Sequence, residues 1–330
     1  MTQFARRLAA TALPFLVALS LCALFLLLAG KNPATAGAAL VSGALGSPLR
    51  VAETLSKTIP LVMTGLAVAI AFRAGFFNIG AEGQFLAGAL IAAAIGTKLQ
   101  WPFPLVLLGG ALAGTIPALI AGLLKTRRGA PEIITTIMLN YIVIRLAEFA
   151  VQGPLQESAR QQPQTDVLAK VSQLPALLPD TTLHIGLFVA ILCALGCWWL
   201  LFRTERGFLL RAAGEGPLAA RASGIAVEKN VLYAVALSGA LAGLGGAMEI
   251  AGATKQLGLS QFGYGYTAIA VALLARLNPL GVLPAALLFG MLSAGGGAME
   301  RNTGVPAVTV SIVIGVVICA AALPKLKWGK

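Results

Sequence analysis

The stretch Thr58-Ile-Pro-Leu-Val-Met-Thr-Gly-Leu-Ala-Val-Ala-Ile-Ala-Phe72 runs straight into Arg73-Ala-Gly-Phe-Phe-Asn-Ile-Gly-Ala-Glu-Gly-Gln84. The first part carries no charge and reads as a helix in an apolar solvent. The second reads as a turn, because Gly75, Gly80 and Gly83 free the backbone while Asn78, Glu82 and Gln84 add polar side chains. A helix of about 15 residues rises about 22 Å, less than the ~30 Å hydrocarbon core of a bilayer. On that count the turn lies below the membrane surface. Irregular backbone at such depth is stable only where protein covers it or water reaches it. A charged side chain near mid-membrane costs about 2.5–3.5 kcal/mol on insertion scales, so Glu82 needs a reason to be there. Two readings follow. Either the turn belongs to a solute path or its gate, with Asn78, Glu82 and Gln84 facing solute, or it is a plain cytoplasmic turn in which Glu82 caps the next helix.

Composition agrees with a membrane setting. Of 330 residues 58% are hydrophobic and only 11% charged, with a mean hydropathy of +0.87. Soluble domains carry about 25% charged residues, so a soluble enzyme is excluded. The chain is read as an all-α polytopic membrane protein, a single transmembrane domain over residues 1–330. Ten apolar runs are candidate spans: 8–29, 58–72, 84–96, 103–124, 133–151, 185–202, 231–251, 266–277, 280–294 and 305–323. The second, third, eighth and ninth are shorter than a full crossing. They form two adjacent pairs, one in each half, a pattern that points to an inverted repeat of about four spans. The run 8–29 is too long for the core of a signal peptide and is read as a retained first span.

The net charge of +12 does not call for nucleic acid, because the Lys and Arg residues fall between apolar runs. With the N-terminus inside, fifteen basic residues lie on the cytoplasmic side and eight outside, and Arg145 lies within a span. That bias puts both termini in the cytoplasm of an inner-membrane protein, the loop 152–184 outside and the loop 203–230 inside. Cys22, Cys193, Cys197 and Cys319 all sit in apolar runs without a His or carboxylate beside them, so neither a metal site nor a disulfide framework is expected. Arg145 and Glu148 share a helix face and are expected to pair. His184 is expected at an interface, and Trp198 and Trp199 as bilayer anchors.

A second informative segment is Arg211-Ala-Ala-Gly-Glu-Gly-Pro-Leu-Ala-Ala-Arg-Ala-Ser-Gly-Ile225. Pro217 suits the first turn of a short helix, Ala219, Ala220 and Ala222 favour its continuation, and Gly224 suits its C-terminal end. Small side chains on such a helix let the groove of another protein close over the backbone. The alternative is a lone amphipathic linker.

Phe77-Asn-Ile-Gly-Ala-Glu-Gly-Gln84 resembles the hallmark of nucleoside-type permeases of ABC importers, part of the broad permease family that also serves ribose, xylose and branched-chain amino acids. Gly129-Ala-Pro-Glu-Ile-Ile-Thr-Thr-Ile-Met-Leu-Asn-Tyr141 resembles another signature of that subgroup. Gly263-Tyr-Gly-Tyr-Thr-Ala-Ile-Ala-Val-Ala-Leu-Leu-Ala-Arg-Leu-Asn-Pro279 resembles a further block. Residues 211–225 resemble the loop that docks on the ATPase, departing from it at Gly216 and Leu218, where the resemblance leads one to expect Asn and Glu. It implies coupling roles for Arg211, Gly214, Glu215, Pro217, Ala219, Ala220 and Gly224. It also implies three partners: an ABC ATPase, a second permease subunit, homologous or identical, and an extracytoplasmic substrate-binding lipoprotein. The chain has no Gly-x-x-x-x-Gly-Lys-Ser/Thr stretch, so ATP is expected to be used by the partner and no cofactor by this chain.

The expected cargo is a nucleoside, met by Asn78, Glu82 and Gln84 and by the flat faces of Phe262, Tyr264 and Tyr266, although those aromatics equally suit an interfacial belt. A sugar or branched-chain amino acid permease is the alternative within the class. An ion-coupled secondary transporter is the alternative outside it, disfavoured by the scarcity of acidic residues in the spans.

Overall fold

The computed structural model describes residues 30–259 and 262–305, with residues 20, 23, 24, 26 and 27 ahead of them. The expected span 8–29, the expected span 305–323, Cys22 and Cys319 therefore lie wholly or almost wholly outside the described residues. What is described is helical, apart from the isolated bridges Gln164–Gly258 and Ala176–His184. In chain order the helices are α1 (Pro33–Leu45), α2 (Pro48–Arg73), α3 (Ala81–Ala94), α4 (Phe103–Arg128), α5 (Glu132–Gln152), α6 (Gly186–Arg203), α7 (Glu205–Glu215), α8 (Pro217–Ala222), α9 (Val227–Met248), α10 (Tyr264–Leu274) and α11 (Pro279–Thr303). A π-helical turn, Ile95–Leu99, continues α3, and another, Glu249–Thr254, continues α9. Among the described residues six helices are long and apolar enough to cross a membrane.

Two expectations are corrected. The run 58–72 is the second part of a 26-residue helix, and the run 280–294 lies in a 25-residue helix. Both reach a full crossing. Hydropathy missed the start of α2 because Arg50, Glu53 and Lys57 interrupt it, yet Glu53 lies 3.1 Å from Arg50 and 3.4 Å from Lys57, which leaves one net positive charge. The depth of the polar turn therefore cannot be taken from the length of the helix before it. The runs 84–96 and 266–277 do remain short as α3 and α10. Helix α1 was not foreseen. It is rich in Ala and Gly, and Asn32 caps it by accepting the Ala34 amide hydrogen at 2.9 Å.

The chain forms two compact units, residues 1–57 with 287–330, and residues 58–286. In the first, α1 packs on the latter part of α11. An added Cβ at Gly43 would lie 2.3 Å from the Ala298 methyl, so the helices meet almost backbone to backbone. Lys31 donates from Nζ to the Thr303 carbonyl at 3.0 Å.

In the second unit α9 is the centre, packed most extensively on α4 and then on α3. The crossing is lined by glycine. A Cβ on Gly243 would lie 2.3 Å from the Gly110 carbonyl oxygen, and one on Gly88 would lie 2.0 Å from the Gly243 oxygen. Lipid gives helices no hydrophobic reason to associate, so close backbone packing supplies the dispersion contacts that hold them. The loop 152–184 straps across the ends of α3 and α9. Ala169 donates to the Gly96 carbonyl at 3.2 Å, and Leu174 to that of Ala251 at 2.8 Å. Both acceptors lie in the π-helical turns. His184, the last residue of this loop, is buried, with Nδ1 accepting the Gly186 amide hydrogen at 3.1 Å.

Candidate functional site

The polar turn 74–80 leads from α2 into α3, and its side chains are buried: Asn78 is 0%, Glu82 1% and Gln84 2% exposed. Asn78 Nδ2 donates to Gln84 Oε1 and to Ser238 Oγ, each at 2.9 Å. Asn78 Oδ1 accepts from Gln84 Nε2 at 3.0 Å and from the Gly80 amide at 2.9 Å. Ser238 passes its own proton to the Ala67 carbonyl at 2.7 Å. Buried amides are costly unless fully paired, and here the two amide groups and one hydroxyl pair with each other and the backbone. Asn140 of α5 completes the shell, donating to the Ile79 carbonyl at 3.0 Å and accepting the Gly83 amide hydrogen at 2.8 Å.

Glu82 does not cap its own helix; the Gly80 N-cap of α3 has no side-chain cap. It reaches α10 instead. Its Oε1 accepts the Gly263 amide hydrogen at 2.8 Å and its Oε2 that of Gly265 at 2.7 Å. Those donors belong to the unsatisfied first turn of α10, where the helix dipole also favours a negative group. The two short helices thus meet at their N-termini, joined by one carboxylate. The packing is equally close: a Cβ on Gly265 would lie 2.2 Å from the Glu82 nitrogen.

Sequence reading placed Asn78, Glu82 and Gln84 against solute; the structure engages all three with protein. The aromatic set divides. Phe262 and Tyr264 stack on each other with centroids 6.2 Å apart, and both meet the buried Phe85 edge to face. Tyr266 is 43% exposed. Ser238, Phe85 and Asn140 were not singled out. Ser238 and Phe85 carry no signal beyond lying in apolar runs, whereas Asn140 falls inside one of the resemblance blocks.

The second segment meets the first directly. Gly214, near the end of α7, lies so close to the turn that a Cβ there would sit 2.1 Å from the Arg73 carbonyl oxygen and 2.7 Å from the Gly75 nitrogen. Arg73 binds this corner together. It donates through Nε to the Leu277 carbonyl at 3.1 Å, lies over the Phe202 ring, and stands 3.9 Å from Glu215. Arg211 lies over the same ring. From the other side Lys125 donates to the Gly75 carbonyl at 2.9 Å and to Glu132 at 2.7 Å, with its ammonium over the Phe76 ring.

Helix α8 begins with Pro217 in its first turn, and Gly224 lies just past its end with φ +80°. Both positions are as expected. The expectation that Ala219 and Ala220 both lie on the open surface is corrected. Ala219 is exposed, but Ala220 is buried in an apolar cluster with Phe76, Ala118, Ala213 and Val231. A six-residue helix lying on a core must turn one face inward, and Ala220 is on that face. The outer face carries Leu218, Ala219, Arg221 and Ala222, with Leu218 79% exposed.

Arg145 and Glu148 pair as expected, at 2.5 Å. Trp199 is 59% exposed. Cys193 and Cys197 are free thiols, and no cluster of metal-ligating residues occurs among the described residues.

Six helices of membrane-crossing length among the described residues, packed around a buried polar turn, define a multi-pass membrane protein. Residues 50–322 match the family described as branched-chain amino acid transport system / permease component, and the chain belongs to that family. The chain is 37% identical to the guanosine ABC transporter permease protein NupP of Bacillus subtilis, over 91% of this chain and 88% of that one. It is 34% identical to the nucleoside ABC transporter permease protein NupB of Lactococcus lactis, over 90% and 85%. It is 33% identical to the glucose ABC transporter permease protein TsgB13 of Haloferax volcanii, over 93% and 84%. The chain is a permease of the ABC transporter type.

Proposed function

We propose that this chain is the membrane-crossing subunit through which an ABC importer passes nucleosides, driven by ATP hydrolysed on a partner ATPase. The backbone contact between Gly214 and the Arg73–Gly75 corner carries the proposal, because it joins the segment that resembles an ATPase-docking loop to the buried polar turn. Motion imposed on α7 and α8 has no slack to absorb it there. It passes through the turn to Glu82, and from Glu82 to the N-terminus of α10. Arg211, Gly214, Glu215, Pro217, Ala219 and Gly224 build the coupling loop of residues 203–230, with Ala220 as its anchor. Asn78, Glu82 and Gln84 hold the shape of the path from behind, and Phe262, Tyr264 and Tyr266 form its aromatic side.

The chain binds no cofactor of its own in this reading. A second permease subunit and an extracytoplasmic binding lipoprotein complete the importer. About ten spans cross the inner membrane with both termini in the cytoplasm, and α3 and α10, one short helix in each half, are counterparts in an inverted repeat. A guanosine and a nucleoside permease among its relatives favour nucleosides as cargo. The glucose permease at similar identity favours a sugar as the second reading.

Docking tests the coupling role. Leu218→Asp removes an exposed apolar contact, and burying a leucine is worth about 1.5–3 kcal/mol, or roughly tenfold or more in affinity. The variant should insert normally and lose the ATPase on purification. Retention of the ATPase at wild-type yield would refute the docking face.

A further inference from the structure

Helix α5 presents a different outer face from its neighbours. The exposed large side chains along α4 are Leu105, Leu108, Leu112, Ile116, Ile120 and Leu124. Those along α6 are Phe188, Leu192, Leu195 and Trp199. Both are faces that hydrocarbon can wet. The exposed face of α5 is also mostly apolar, with Ile134, Met138, Ile142, Leu146 and Phe149 on it, but Tyr141 and Arg145 interrupt it, and the Arg145 side chain is 76% exposed. Arg145 stands 13 residues beyond Glu132, about 20 Å along the axis, with seven residues or about 10 Å still to run. That is about two-thirds of the way along α5. Charged side chains in membrane-crossing helices are costly in lipid and almost always face a bundle interior or a watery cavity. Glu148 pairs with it and is itself only 27% exposed.

A second observation places polar groups next to the same face. Tyr266, in the first turn of α10 and 43% exposed, is in electrostatic reach of Asn140 and Tyr141. Tyr141 is 56% exposed. Tyr266 therefore lies beside Asn140 and Tyr141 at the helix terminus that Glu82 ties to the polar turn, and Arg145 stands one turn further along α5.

We propose that the α5 face centred on Tyr141 and Arg145, with Tyr266 beside it, is the wall of the solute path, contacting a neutral solute that carries a planar base and hydroxyl groups. The tyrosine rings supply flat faces on which a base can stack. Arg145, held by Glu148, presents N–H donors to carbonyl or ring-nitrogen acceptors on the base edge. The pair is neutral as a whole, which suits an uncharged cargo. The cargo part of this inference rests on the nucleoside reading above; the location of the path does not.

Thiol accessibility in the full importer separates the two. Tyr141→Cys, Arg145→Cys and, as a lipid-facing control, Leu192→Cys are made on a background with the four native cysteines replaced. A charged, membrane-impermeant thiosulfonate reacts only with thiols that water reaches. Positions 141 and 145 should label at least tenfold faster than position 192, and saturating guanosine should slow them. Labelling at 145 as slow as at 192 would overturn the path. Fast labelling that no solute slows would overturn the contact with cargo. Fast labelling slowed by glucose or leucine but not by guanosine would uphold the path and overturn the nucleoside reading. Should the cysteine variants fail to assemble, Arg145→Leu decides the matter. A lipid-facing site accepts leucine with full uptake, which would refute the proposal, whereas a path wall loses uptake about tenfold while the ATPase stays bound.

Discussion

Glu82 Oε2 accepts the Gly265 amide hydrogen at 2.7 Å, so the first turn of one short helix is capped by a carboxylate from the first turn of another, 183 positions earlier in sequence. The other oxygen takes the Gly263 amide at 2.8 Å. Glu82→Gln keeps the length but leaves one acceptor where two donors converge. Stranding a buried donor costs about 1–3 kcal/mol. Thermal unfolding of the purified permease in detergent should show a clear drop for Glu82→Gln and a larger one for Glu82→Ala. Unchanged melting in both would show that the cap contributes nothing.

The Asn78–Gln84–Ser238 network predicts strong coupling between positions that lie far apart in sequence. Asn78→Ala strands the Gln84 amide, and Ser238→Ala removes an acceptor from Asn78. A double-mutant cycle between them should return an interaction of about 0.5–3 kcal/mol, as expected for groups in one hydrogen-bond network. Additive effects would mean that the two side chains act independently.

At Gly214 the prediction concerns transmission. A methyl at 2.1 Å from the Arg73 carbonyl oxygen has no room, so Gly214→Ala must push the corner apart. Uptake should fall tenfold or more while ATP hydrolysis continues without response to substrate. Gly196→Ala serves as the control, because a Cβ there meets no atom within 4 Å. Equal loss in both variants would point to a general effect of glycine replacement.

The loop 152–184 carries a pH dependence of known sign. The Gln164 side chain and the Gln162 and Gln161 amides donate to Glu157 and hold its carboxyl below the usual range; the Ser158 amide and hydroxyl do the same for Asp166. A depressed folded value means that the stabilisation is present above the ordinary carboxylate range and is lost as pH falls through the folded value. Hydrogen exchange at the Ser158 and Gln162 amides, corrected for intrinsic rates, should show protection at pH 6 that is lost as pH falls through the depressed folded values of these carboxyls. No protection at pH 6 would contradict the assignment.

Much of this was legible in the chain. Apolar runs located the crossing helices, because bilayer thickness sets their length, and Pro217 and Gly224 marked the two ends of α8 because each backbone position suits that residue. Charge pairs hid the start of α2, since hydropathy counts Arg50, Glu53 and Lys57 singly and not as partners. Polarity singled out Glu82, but nothing local connects it with Gly263 and Gly265. A cap supplied from another helix leaves no pattern in either segment. The inward turn of Ala220 was equally hidden, because a short alanine-rich helix shows no periodic apolar face until its packing partner is known.

The most direct test of the central claim is uptake by the reconstituted importer, this chain with the ATPase, second permease subunit and binding protein proposed for it, in proteoliposomes. Labelled guanosine, glucose and leucine are offered with and without ATP. The account predicts ATP-dependent accumulation of guanosine that excess unlabelled glucose or leucine does not reduce. Glucose or leucine uptake without guanosine uptake would contradict the cargo, and guanosine uptake driven by an ion gradient in the absence of ATP would contradict the mechanism.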